Sequence, residues 1–333
     1  MIINRIAIIG LGSIGRRHLS LILKIKPNIE IILVRSGYGN TYKEEEETAK
    51  TVYSISDAIK LGIQAAIISS PATLHVEQAL ELAKNGVHLL IEKPLSNELS
   101  GAHELLNEIN HNNKDIVVMI GYVLRYDIGA IKFNNWLKNK ITGDILHARI
   151  ECGSYLPDWR PDQDYKETVS ALSKLGGGAL LELSHELDYL YWFFGCPVDV
   201  QANLRNSKTL DIDVEDQVDL LLTSKAGYPI VVQVDFNRRY PKRECTVITT
   251  DGELIWDAVK KNVTLRTINN EPCVYNYNYD YERDYIYQRQ LEVFFDCIVN
   301  NNKPTITIED GVNVMRLIDA SHNAYVLGKK IIL

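Results

Sequence analysis

Ile6-Ala7-Ile8-Ile9 is an uninterrupted apolar run, Gly10-Leu11-Gly12-Ser13-Ile14-Gly15 follows it directly, and Leu19, Ile22 and Leu23 then recur at helical spacing. That order reads as strand, glycine turn, helix. Three glycines there serve three needs: a tight turn at Gly10, close approach of the Gly12, Ser13 and Ile14 backbone to a pyrophosphate, and close helix-to-strand packing at Gly15. The helix start that follows favours negative charge, so the segment is expected to hold a dinucleotide.

The rest of the N-terminal part repeats the alternation. Apolar runs at Ile29–Val34, Ala65–Ile68, His88–Ile91 and Ile116–Ile120 are separated by helical patterns at Thr73–Asn85 and Glu98–His111, and Ser54-x-x-Asp57 can cap a short helix before Leu61. Alternating units of this length predict an α/β fold with a parallel, doubly wound Rossmann sheet. After Tyr122 a helix near Ile128–Asn139 and a strand near Ile145–Glu151 lead into a Pro-, Asp- and Trp-containing loop. Strand-like runs then recur at Val198–Asn203, Val214–Leu222, Ile230–Phe236, Thr246–Thr250 and Asn262–Thr267, before helical patterns at Tyr285–Val299 and Gly311–Leu327. The expected division is residues 1–122, a nucleotide-binding domain, and 123–333, a substrate-binding α/β domain built on an open, mostly antiparallel sheet.

Composition fits a folded, soluble chain: 46% of its 333 residues are hydrophobic and 24% charged. With 43 acidic against 36 basic residues the net charge of −7 argues against a nucleic-acid partner. The N-terminal apolar run is too short and interrupted for a signal peptide, and Tyr189–Phe194 is too short to span a bilayer, so no membrane association and a cytoplasmic setting are expected. Five widely spaced cysteines without a CxxC pair read as reduced thiols, and no metal is predicted. The Glu44–Glu47 run reads as a solvated face.

Residues able to do chemistry cluster at predicted strand ends. Arg35 and Ser36 stand where an acidic residue would bind the ribose 2′-hydroxyl, so NADP(H) is favoured over NAD(H), with both open. Ser70, Pro71 and His75 follow the third apolar strand at the ligand-binding edge, and Thr73 there can cap the next helix. Glu92, Lys93 and Pro94 end the next strand, where the Lys93 ammonium can bond a substrate hydroxyl and manage its proton.

Gly10–Gly15, Ser70–His75 and Glu92-Lys93-Pro94 together resemble the glucose–fructose oxidoreductase, inositol dehydrogenase and rhizopine-catabolism (Gfo/Idh/MocA) family over nearly the whole chain. Gly121-Tyr122, Arg125-Tyr126, Gly176-Gly177-Gly178 and Asp310-Gly311 extend the likeness. The resemblance implies an NAD(P)-dependent dehydrogenase or reductase acting on a small carbohydrate, with a C-terminal sheet used to form a homo-oligomer, a dimer or tetramer. It also implies a catalytic glycine-to-helix motif, normally Asp, three residues, His. Counted forward from the glycines, Glu182 takes the aspartate's place and His185 comes one residue early; counted back from Asp188, the histidine is restored and the acid lost. On one continuous helix Glu182, His185, Glu186 and Tyr189 share a polar face aimed at substrate, with His185 as second acid–base group and Glu182 orienting it. His185-Glu186 lacks the second histidine of a zinc motif.

Tyr155, Trp159 and Arg160 are candidate contacts for a sugar ring and an acidic or phosphate substituent, Arg125 is a substrate contact or a structural ion pair, and the tyrosines of 275–287 are interface or substrate contacts. The stretches Trp159–Tyr165 and Glu182–Tyr189 resemble relatives that make surface carbohydrates. Two rival functions remain: an enzyme that retains its nicotinamide and uses transient oxidation to drive elimination or glycoside cleavage, and a non-catalytic cofactor-sensing protein.

Overall fold

The computed structural model describes residues 3–38, 41–48, 50–112, 115–268, 270–278 and 284–333. Tyr279 and Tyr281 of the tyrosine-rich stretch and the first two residues of the N-terminal run lie outside them.

The first part runs β1 (Arg5–Ile9), α1 (Ser13–Ile25), β2 (Glu30–Val34), β3 (Lys50–Val52), α2 (Ile55–Lys60), β4 (Ala65–Ile68), α3 (His75–Lys84), β5 (His88–Ile91), α4 (Leu99–Asn112) and β6 (Val118–Ile120). These six strands form one all-parallel sheet in the order β3-β2-β1-β4-β5-β6. The strands are apolar throughout rather than alternating because helices cover both faces: every residue of β4 and β5 is buried. Ser54 caps α2, its hydroxyl accepting from the Asp57 N–H at 3.1 Å, as the Ser-x-x-Asp spacing predicts. The short edge strand β3 escapes a sequence reading because three residues carry no period.

The second part adds α5 (Ile128–Lys138), β7 (Ile145–Gly153), α6 (Ala179–Glu182), α7 (His185–Phe194), β8 (Asp199–Arg205), β9 (Gln217–Thr223), β10 (Pro229–Asp235), β11 (Lys242–Thr249), β12 (Gly252–Asp257), β13 (Asn262–Thr267) and β14 (Asn270–Asn276). The chain ends with α8 (Tyr285–Asn300), α9 (Ile308–Leu327) and β15 (Ile331–Ile332). The second sheet has nine strands in the order β14-β13-β12-β11-β7-β10-β9-β8-β15. All its pairs are antiparallel except β7 with β10, which run side by side in register from Ala148/Ile230 to Gly153/Asp235.

By compactness the chain forms two units, one comprising the residues up to Val123 and the stretch from α8 to Met315, the other Leu124 onward with Arg316–Leu333. The units interleave in sequence, whereas the division at 122/123 is a single cut. In the first unit α8 lies against α1, where Tyr287 stacks under the Arg17 guanidinium at 4.6 Å and presents an edge to His18. In the second, Tyr277 is core: its hydroxyl accepts from Trp256 Nε1 at 3.0 Å, and its ring fills the space a side chain at Gly129 would need. Among the described residues no helix is long and apolar enough to cross a membrane.

One expectation fails locally. Glu182 and His185 do not share a continuous helix, because α6 ends at Glu182, Leu183 and Ser184 form a turn, and α7 starts at His185. Two members of the expected polar face, Glu186 and Tyr189, are wholly buried.

Candidate active site

In the first unit, three adjacent strands β1, β4 and β5 release their chains at one carboxyl edge, the place where doubly wound sheets bind ligands. Gly10 has φ +85°, and a Cβ there would lie 3.0 Å from the Ser69 carbonyl oxygen and Ser70 nitrogen. A Cβ at Gly15 would lie 2.1 Å from the Gly10 oxygen, so α1 is pressed directly onto the turn. Gly12, by contrast, faces open space, caps α1 without a side chain, and precedes a first turn that carries no acid. The backbone of Gly12, Ser13 and Ile14 therefore fits a pyrophosphate: a bare N-terminus, room for close approach, and no acid in the helix's own first turn. Ser69, which sequence reasoning passed over, fastens this turn by donating its hydroxyl to Ile9 and Gly10 oxygens at 3.0 and 2.8 Å.

At the end of β2, Arg35 is engaged. Its Nη1 donates to Glu45 Oε1 at 2.5 Å, with the two side chains 12% and 18% exposed, and Glu45 also accepts from the Tyr42 N–H. Ser36 turns its hydroxyl onto the backbone of Tyr38. Ser70 donates to Gln78 Oε1 at 2.7 Å, and Pro71 leads into a short 3-10 turn before α3.

His75 is buried, with Nδ1 2.9 Å from the Pro94 carbonyl and Nε2 2.9 Å from the Ser70 carbonyl. Burial pulls its pKa below the ordinary 6.5, so near neutral pH only one of its nitrogens donates and only one of these two carbonyls accepts its N–H. Glu92 is likewise spent inside the fold: Oε1 meets Nε2 of the fully buried His18 at 2.7 Å, and Gly121 leaves room for its carboxylate. Lys93 follows, half-buried, joined to Pro94 by a cis peptide bond.

In the second unit, His185 opens α7 and Glu182 ends α6, both half-buried. The glycines before α6 have a structural cause. A Cβ at Gly178, which has φ +114°, would lie 2.5 Å from Glu215 Oε1, and that same oxygen accepts from the Leu180 N–H at 3.0 Å. Burial raises the Glu215 pKa against the lowering effect of that N–H. Helix α7 is then anchored twice. Glu186 Oε1 accepts from Arg243 Nε at 2.8 Å, beside Cys152, whose thiol burial pushes far up. Asp188 takes the Arg125 guanidinium in a buried pair.

The loop after β7 separates its three candidates. Tyr155 lines a pocket of about 500 Å³ and lies under the Arg239 guanidinium, 3.4 Å from ring centre to Cζ. Trp159 donates Nε1 to Ser154 Oγ at 2.7 Å and packs edge-on against Phe236, while Arg160 is exposed. Arg239 was not foreseen, because nothing in the run Asn237–Tyr240 marks it as close to Tyr155.

Two family models match the chain: an oxidoreductase family with NAD-binding Rossmann fold over residues 4–122, and the GFO/IDH/MocA C-terminal domain over residues 131–255. An inositol 2-dehydrogenase/D-chiro-inositol 3-dehydrogenase of Halalkalibacterium halodurans is 23% identical over 90% of this chain and 85% of its own. A 1,5-anhydro-D-fructose reductase of Ensifer adhaerens is 23% identical over 93% and 92%. The structure of scyllo-inositol dehydrogenase from Lactobacillus casei with NAD(H) and scyllo-inositol bound shares the fold, with a TM-score of 0.81 at 20% identity over 99% of both chains.

Proposed function

This chain belongs to the Gfo/Idh/MocA family of oxidoreductases, and from that premise we propose that it moves hydride between a nicotinamide cofactor and a carbinol carbon of a sugar, nucleotide sugar or cyclitol. The observation that carries the reading is the position of Lys93. It leaves β5 at the same sheet edge as the glycine turn after β1, with β4 between them. Nicotinamide, when bound, supplies the two-electron acceptor or donor.

The chain's own residues do the rest. Gly12, Ser13 and Ile14 hold the pyrophosphate. Lys93 and His185 handle the substrate hydroxyl proton: as hydride leaves the carbon, the O–H proton passes to the side-chain base, and in the reverse direction it returns to the new alkoxide. Glu182 orients His185 or binds a neighbouring hydroxyl, and Arg125, Trp159 and Arg160 serve the substrate directly or through the loops they hold.

The finer readings rest on single features. A preference for NADP(H) rests on Arg35, whose guanidinium a 2′-phosphate would have to take over from Glu45. A nucleotide-linked or amino sugar in surface-carbohydrate synthesis rests on the stretches Trp159–Tyr165 and Glu182–Tyr189. A homo-oligomer is supported by the exposed apolar side chains Leu146, Leu221 and Ile248 on the second sheet, and sedimentation velocity tests it.

A nicotinamide-absorbance assay across inositols, free sugars and nucleotide sugars, with both cofactors, tests the activity. The wild type turns over at least one of these alcohols or its ketone, and Lys93→Ala and His185→Ala each lower kcat by about a hundredfold or more. Full rate in either variant removes that residue from the proton path. Cofactor retained through purification, with turnover but no net absorbance change, marks elimination chemistry instead.

A further inference from the structure

The pocket beside Tyr155 has an unbalanced charge. Arg238 and Asp235 both line it and neutralise each other, Arg238 Nε standing 3.2 Å from Asp235 Oδ2. Asp235 is further satisfied by the N–H groups of Asn237 and Arg238, and Glu151 lies 3.9 Å from Arg238. Arg239 is different: among the described residues it pairs with no carboxylate, and its contact is the Tyr155 ring. A guanidinium whose central carbon sits over an aromatic face, here 3.4 Å from its centre, leaves N–H donors at its edge for a two-pronged acceptor. The remaining lining is neutral, polar at Ser207, Gln217 and Gln233 and apolar at Leu210. A pocket of about 500 Å³ is within the usual range for small-molecule sites.

The pocket also opens at the sheet edge that launches the helices carrying Glu182 and His185. β7 and β10 are parallel, so Tyr155 and Arg239 leave the same edge. Hydrogen bonds stitch that edge together: Leu156 N–H to the Phe236 oxygen, Phe236 N–H to the Asp216 oxygen, and Ala179 N–H, at the start of α6, to the Glu215 oxygen.

We propose that Arg239, stacked on Tyr155, binds an anionic group, carboxylate or phosphate, carried by the sugar substrate. The substrate class is then an acidic or phosphorylated sugar rather than a neutral polyol. This rests on the carbohydrate reading above and adds the charge of the substrate to it.

Calorimetric titration of the full-length chain with glucuronate, glucose 1-phosphate and glucose, each with and without NADH, tests the proposal by binding alone. One or both anionic probes bind at least tenfold more tightly than glucose, and raising salt weakens them. Arg239→Gln and Tyr155→Ala each abolish that preference, with unfolding midpoints measured alongside to show that the variants fold. Glucuronate alone identifies a uronate, glucose 1-phosphate alone a phosphorylated sugar. Equal affinity for glucose, or a preference that survives Arg239→Gln, overturns the assignment. The outcome is separable from hydride transfer: anion binding without turnover of any alcohol leaves Arg239 assigned and removes the oxidoreductase reaction, and turnover without anion preference does the reverse.

Discussion

Arg125 and Asp188 form a two-pronged ion pair inside the second unit, Nη2 donating to Oδ1 at 2.7 Å and Nε to Oδ2 at 3.0 Å, with the side chains 7% and 1% exposed. The pair joins the segment ahead of α5 to α7, two residues past Glu186 and one turn from His185.

Removing one partner leaves the other charged and dry. Asp188→Ala is expected to lose about 3 kcal/mol or more, read as a lower urea midpoint, while the paired replacement Arg125→Met with Asp188→Leu loses much less. An Asp188→Ala protein that unfolds at the wild-type midpoint would show that the pair anchors nothing.

Gly12 and Gly15 separate cofactor binding from folding. Gly15→Ala drives a methyl into the Gly10 carbonyl, so both stability and cofactor affinity fall. Gly12→Ala meets no protein atom, so the cofactor-free protein keeps its stability within about 1 kcal/mol, whereas NAD(H) affinity drops at least tenfold. Thermal shift with and without cofactor distinguishes the two.

Burial holds His75, His88 and His322 below the ordinary histidine pKa of 6.5. The unfolded chain therefore takes up protons first as pH falls through 6.5, and the folded state loses stability from there downward. Urea midpoints between pH 7.5 and about 5 are expected to decrease, and a His75→Gln variant, which no longer titrates, to decrease less steeply. A wild-type midpoint that rises on acidification contradicts the sign.

Cofactor choice at Arg35 is measurable as a ratio. Glu45→Gln removes the carboxylate charge facing the Arg35 guanidinium and raises kcat/KM for the 2′-phosphorylated cofactor relative to NAD(H), and Arg35→Ala lowers it. If neither substitution moves the ratio, Arg35 does not read the phosphate.

Much of the first unit was legible because its signals are local. Apolar runs, Ser54 before Asp57, and glycine at 10, 12 and 15 each act through neighbours a few residues away, so spacing alone carries strand, cap and turn. The polar helix face was misjudged for the same reason. Helical spacing groups Glu182, His185, Glu186 and Tyr189, but it cannot register that Gly178 packs on Glu215, that the helix breaks at Leu183–Ser184, or that Arg243 waits 57 residues on to bury Glu186. Arg239 was invisible until β10 was laid parallel to β7.

Order along the chain thus settled the parallel sheet, its glycine turn and the lysine at its edge, since each depends on near neighbours. Which charges cancel and which stay available was settled only on folding. Arg125, Arg243 and Arg35 find carboxylates and Arg239 an aromatic ring, because Coulomb attraction and burial act through space and take no account of sequence distance.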